Sequence, residues 1–127
     1  MSKPYTDKIL DHYKNPRNYG SIDGANAFAE EKNALCGDEI AIYLSIDNSG
    51  TISRAKFQGV ACIFCKASAS ILTGDVIGKS KDDVLNMDED YLRKLLDLTN
   101  LRGSKMRCAL LPLKAMKRAI DRSSQNK

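Results

Sequence analysis

The chain has no tryptophan, only three prolines, and eight aromatic rings (five Tyr and three Phe) in 127 residues. None of those rings lies among the basic residues that gather between Arg102 and Lys127. The stacking platform that single-stranded nucleic acid requires is therefore missing. No apolar run approaches the about 20 residues of a membrane span. The opening segment, Met1 to Asp7, holds no apolar stretch that would serve as an export signal. Together these absences point away from nucleic acid and membrane and predict a cytoplasmic protein. In that reducing compartment four cysteines are not a disulfide framework.

Hydrophobic residues make up 43% and charged residues 28% of the chain, a composition that supports one globular core and argues against disorder. The expectation is a single domain over 1–127, ordered from about 5 to 120 with frayed ends. Charge is unevenly placed. Eight Lys/Arg and one Asp fall between Arg102 and Lys127, against twelve and fifteen charges of either sign before them. Such a basic tail fits an acidic protein partner or a solvated helix face.

Ile40, Ile42, Leu44 and Ile46 alternate along 39–46, and 51–57 alternates in part. Asp47-Asn48-Ser49-Gly50 between them is turn chemistry, so a hairpin is expected, with an edge strand from Ala25 to Lys32. A short helix is expected over Thr6–Tyr13, stopped at Asn15-Pro16 and Gly20, and another over Lys66–Ile77, stopped by Gly78. Ser80 reads as a cap for a third, and Tyr91 to Leu98 as a further helix. Pro112 is best tolerated in a first turn, which predicts a last helix starting near Ala109 after a loop at Arg102-Gly103-Ser104. Strands first and helices afterwards give an α+β class.

The cysteines are Cys36, Cys62, Cys65 and Cys108. Cys36 precedes Gly37-Asp38, a tight-turn sequence that would aim a thiol and a carboxylate at one centre. Cys62 and Cys65 form a C-x-x-C pair between a strand-like run and a helix. Cys108 is expected at the mouth of the last helix, so two helix N-termini would favour thiolates. Lys105 and Arg107 add positive charge beside Cys108. Three dispersed segments thus supply thiols with one carboxylate nearby, which suggests a metal or sulfur site. Asp38 reads either as a ligand or as a turn residue, and Cys65 either as a ligand or sulfur relay or as a small packed side chain. His12 is expected at the surface or against a partner.

With these residues in place the chain resembles the iron–sulfur cluster assembly scaffolds of the IscU, SufU and NifU N-terminal type. The resemblance rests on Asp11-His12-Tyr13-Lys14-Asn15-Pro16-Arg17-Asn18, Cys36-Gly37-Asp38, Phe57-Gln58-Gly59-Val60-Ala61-Cys62 with Ala67-Ser68-Ala69-Ser70, and Arg107-Cys108-Ala109-Leu110. It implies a three-stranded antiparallel sheet packed under helices. It also implies assembly of a 2Fe–2S cluster from iron and from sulfur delivered by a pyridoxal-phosphate cysteine desulfurase, then transfer to recipient apoproteins. By motif, Cys36, Asp38, Cys62 and Cys108 match the family's ligands, and Cys108 its persulfide acceptor, with Lys105 as a possible support. Zinc takes the same ligands when iron is absent, and a zinc-bound persulfide acceptor is the alternative reading. In either case the role is that of a scaffold or carrier and not of a turnover enzyme. Arg107 stands where IscU proteins have histidine, and arginine offers no lone pair. Leu101-Arg102-Gly103-Ser104-Lys105 replaces the motif read by a dedicated Hsp70, so the resemblance does not extend to that chaperone. Cys65 stands where relatives commonly have serine.

Overall fold

The computed structural model describes residues 6–34 and 37–125. Helix α1 spans Asp7–Lys14 and is capped by Thr6, whose hydroxyl accepts from Ile9 N. Three strands follow, β1 (Ala27–Asn33), β2 (Asp38–Ile46) and β3 (Ile52–Val60), then α2 (Ile63–Val76), α3 (Lys81–Leu85), α4 (Glu89–Leu96) and α5 (Gly103–Gln125). The α+β expectation holds, and the sheet is antiparallel in the order β1-β2-β3.

Register follows from burial. Ile40, Ile42 and Leu44 face the core, and Ile42 sits between Ala29 of β1 and Phe57 of β3. A one-residue slip would turn all of them outward, so the pairing is strongly specified. The hairpin turn is closed by Asp47, whose carboxylate accepts from Ser49 N and Thr51 N. Ala27 and Ala29 are the core-facing residues of β1, and their small size lets α5 lie close across β1 and β2. Strand β3 runs three residues further than the alternation suggests, to Val60. Gly59 makes that possible: its φ is +145°, and a Cβ there would fall 2.0 Å from the Glu39 carbonyl oxygen.

Helix α2 is buried almost all round, with Ala67, Ser68, Ala69 and Ser70 enclosed between α1 and α5. Small side chains let neighbours approach on two sides, and their hydroxyls are spent within that packing. Ser68 Oγ donates to the Ala109 carbonyl at 2.6 Å, and Thr73 Oγ1 donates to the Ala69 carbonyl at 2.7 Å.

Two helix boundaries differ from the sequence reading. Helix α2 begins at Ile63 and not Lys66, because Cys62 acts as its N-cap. Helix α5 begins at Gly103 and not near Ala109, so Arg102-Gly103-Ser104 leads straight into helix and Pro112 lies in the interior. Proline cannot donate to the carbonyl four residues before it, here that of Cys108. The helix continues regardless, because Met106, Ala109, Leu111, Leu113, Ala115, Met116, Ala119 and Ile120 are buried on both sides of the proline. Apolar burial at roughly 25 cal/mol per Å² across such a face outweighs one lost backbone bond. None of the helices among the described residues is long and apolar enough to cross a membrane.

Candidate metal centre

Asp38 opens β2, Cys62 closes the β3-to-α2 junction, and Cys108 lies in the second turn of α5. One carboxylate oxygen of Asp38 and the sulfurs of Cys62 and Cys108 all fall within 4.8 Å of one another. Two thiolates bound to one zinc-sized ion at about 2.3 Å each sit under 4 Å apart, so the observed spread needs only small adjustments to close. The three elements that carry these atoms are far apart in sequence and meet because α2 and α5 pack side by side over the sheet.

Asp38 is 2% exposed. Its Oδ1 accepts from Cys62 N at 2.9 Å, which ties the start of β2 to the mouth of α2. Its Oδ2 is buried without a hydrogen-bond partner. An unsatisfied buried carboxylate oxygen is costly, and a cation held between it and two sulfurs would relieve that cost. The donor set, soft sulfur with one hard oxygen, suits zinc or iron.

Cys62 is the N-cap of α2 and its sulfur accepts from Cys65 N at 3.5 Å. It therefore lies at the positive end of the helix, as the sequence suggests. Cys108 does not: with α5 starting at Gly103 it sits inside the helix and is 5% exposed. The expected pair of helix mouths is thus one mouth and one helix side. Gly37 has φ +71°, the tight-turn conformation expected beside Asp38; Cys36 itself lies outside the described residues.

Lys105 is exposed one helical turn before Cys108, with its ammonium 5.8 Å from the centroid of the Phe64 ring. Arg107 is exposed, near Lys32, Leu110 and Lys114 along a cleft of about 470 Å³ beside α5. Cys65 is fully buried in the hydrophobic core and is not one of the three converging ligand residues. His12 is not a free surface group. Its Nδ1 lies 2.7 Å from Ser70 Oγ, which also accepts from Arg17 N at 2.8 Å, so α1 and the Asn15-to-Arg17 turn are fastened to α2. Burial, followed by the Arg17 charge, holds the His12 pKa below its ordinary value.

Two supporting features were missed in the sequence. One is the Ser68–Ala109 bond, which joins α2 to α5 one residue past Cys108; the paired Ala-Ser repeat was its only visible sign. The other is Val60, 77% exposed two residues before Cys62.

Comparison with known proteins agrees with this architecture. The NifU-like N terminal domain family matches residues 4–127. The iron–sulfur cluster assembly scaffold protein IscU of Escherichia coli is 34% identical, the alignment covering 91% of each chain. IscU of Thermotoga maritima is 29% identical over 95% of each. Among solved structures, a NifU-like N-terminal protein from Brucella abortus superposes with a TM-score of 0.82 at 20% identity, covering 96% of this chain and 95% of that one. That likeness speaks to fold alone. A structure from Fervidobacterium islandicum AW-1, described as an iron–sulfur assembly scaffold of the SUF system, superposes with a TM-score of 0.76 at 28% identity, covering 91% of this chain and 96% of that one. With a family match running through nearly every residue and the converging Asp38, Cys62 and Cys108 in place, this chain belongs to the NifU-like N-terminal domain family.

Proposed function

We propose that the protein is a scaffold on which an iron–sulfur cluster of the 2Fe–2S type is assembled and from which it is passed to recipient apoproteins. The observation that carries this is the convergence of Asp38, Cys62 and Cys108 within 4.8 Å, with one buried carboxylate oxygen still unpartnered. Cys36, two residues before Asp38, completes the proposed ligand set. Clusters are normally held by four thiolates. A carboxylate in place of one makes a weaker corner, which suits a protein that must let its cargo go.

Sulfur would arrive from a pyridoxal-phosphate cysteine desulfurase as a persulfide on Cys108, with Lys105 one turn away as supporting charge. The exposed Val60 and Arg107 offer apolar and basic contacts on the flanks of the site. The role is that of a carrier and scaffold, not of a turnover enzyme.

A second reading, a zinc-bound persulfide acceptor, is favoured by the same donor set, since two thiolates and a carboxylate suit tetrahedral zinc equally well. Air-free incubation with ferrous iron, cysteine and a desulfurase separates the two. The scaffold forms a visible chromophore with iron and acid-labile sulfide in equal amounts, and Cys62→Ser, Cys108→Ser and Cys36→Ser each abolish it. Protein that stays colourless yet stimulates the desulfurase when zinc-loaded would establish the second reading instead.

A further inference from the structure

The scaffold reading leaves Cys65 unused. It is a thiol with no exposed surface, one turn along α2 from Cys62. Helix geometry places residues three apart about 5 Å from Cα to Cα, inside the range of about 4.4–6.8 Å from which a disulfide closes. The amide of Cys65 already touches Cys62 Sγ. A C-x-x-C pair on the first turn of a helix, one sulfur half-exposed and the other enclosed, is the layout of a dithiol redox couple. The burial of Cys65 keeps external thiols from its sulfur.

A second consideration comes from the cargo. Persulfide sulfur is at oxidation level zero, whereas cluster sulfur is sulfide, so each atom must gain two electrons. We propose that Cys62 and Cys65 supply them, with Cys65 the resolving thiol; this rests on the scaffold reading above. The outer sulfur of a Cys108 persulfide passes to Cys62, whose sulfur lies within 4.8 Å. The S–S bond at Cys108 breaks, one forms at Cys62, and Cys108 recovers its thiol. The Cys65 sulfur then attacks the inner sulfur of the Cys62 persulfide. The Cys62–Cys65 bond forms, the bond to the outer sulfur breaks, and that sulfur leaves as hydrogen sulfide with its own proton and the one from Cys65. In sum, one persulfide and two thiols give one thiol, one disulfide and hydrogen sulfide. The dithiol is oxidised, the transferred sulfur is reduced, and an external thiol resets the pair.

Cys108 is the poorer resolving group. Bridging it to Cys62 would draw together two helices already spaced by the Ser68–Ala109 bond. Cys65 lies three residues along the same helix from the N-cap Cys62, so a bond between them leaves α2 and α5 where they are.

The test loads the full chain, without air, with sulfur from inorganic polysulfide, desalts it, and follows free sulfide together with intact and peptide mass. Wild type should release about one sulfide per chain while losing two hydrogens, mapped to a Cys62–Cys65 disulfide. Cys65→Ser and Cys65→Ala, checked for fold by circular dichroism, should keep the added sulfur and release sulfide at least about ten-fold more slowly. Release at the wild-type rate from either folded variant, or a disulfide mapped to Cys62–Cys108, overturns the proposal. Clusters built by the two variants from iron and added inorganic sulfide should match wild type. A wild type that fails to build them from these same components refutes the scaffold reading separately.

Discussion

The carboxylate of Asp38 accepts the backbone N–H of Cys62 at 2.9 Å through one oxygen and keeps its other oxygen buried and unpaired. A single residue thus sets the position of a candidate ligand and offers itself as one. In the metal-free chain, Asp38→Ala removes a hydrogen bond and an unsatisfied oxygen together, and these partly offset one another. Its unfolding free energy should therefore change by no more than about 1 kcal/mol. The cluster formed on Asp38→Ala should persist longer and reach an apoprotein more slowly, by about ten-fold if the ligand difference is about 1.4 kcal/mol. Transfer assays followed by visible absorbance check this; faster loss contradicts the weak-corner argument.

Gly59 marks where backbone geometry leads the chain toward the site. Gly59→Ala would drive a Cβ to within 2.0 Å of the Glu39 carbonyl oxygen, at a φ that side-chain-bearing residues rarely adopt. Denaturant unfolding should show a loss of about 2–4 kcal/mol, in the range set by backbone strain and overpacking. A loss below about 0.5 kcal/mol would mean that β3 moves freely there.

Ser68→Ala deletes the buried bond to the Ala109 carbonyl. The expected cost is about 1–3 kcal/mol, because the carbonyl loses a donor inside the core. Since that bond joins α2 to α5 beside Cys108, zinc affinity measured by competition with a chelator should fall as well. Lost stability with unchanged zinc affinity would show that the helix spacing does not set the site.

His12 gives the fold a pH dependence. Its folded pKa lies below the ordinary 6.5, first through burial and then through the Arg17 charge. Between the folded value and 6.5 the unfolded chain binds more protons, so this contribution is present above 6.5 and is lost as pH falls through the folded value. Melting temperature of the metal-free protein should drop as pH is lowered from 7.5 to about 5.5, and His12→Gln should flatten that slope. Equal slopes in both proteins would remove His12 as the cause. Asp11, lowered mainly by its bond to Arg17, acts further down, stabilising above its ordinary 3.8.

The parts of the fold readable in the sequence were those set by periodicity. The alternating isoleucines and leucine of β2 define the buried face, and the Asp47–Gly50 turn allows only a hairpin. The Ser80 cap of α3 was equally plain, its hydroxyl accepting from Asp83 N. The boundaries at the site were not readable, for two physical reasons. Cysteine is not among the usual N-caps, so Cys62 hid the true start of α2. Pro112 argues for a helix start, but tertiary burial on both sides of it overrides that local preference and carries α5 back to Gly103. The consequence is specific: Cys108 reaches the site from the side of a helix, while its meeting with Asp38 and Cys62 is as the motifs suggest. His12 was legible as part of a motif, but its bond to Ser70 depends on α1 packing on α2, which no local pattern encodes.

X-ray absorption at the zinc edge of zinc-loaded protein, with Cys62→Ser and Cys108→Ser alongside, bears most directly on whether these side chains share one ion. The account predicts sulfur neighbours at about 2.3 Å with an oxygen at about 2.0–2.2 Å, and one sulfur fewer in each variant. A shell of oxygen and nitrogen alone, or a spectrum indifferent to both substitutions, would contradict it.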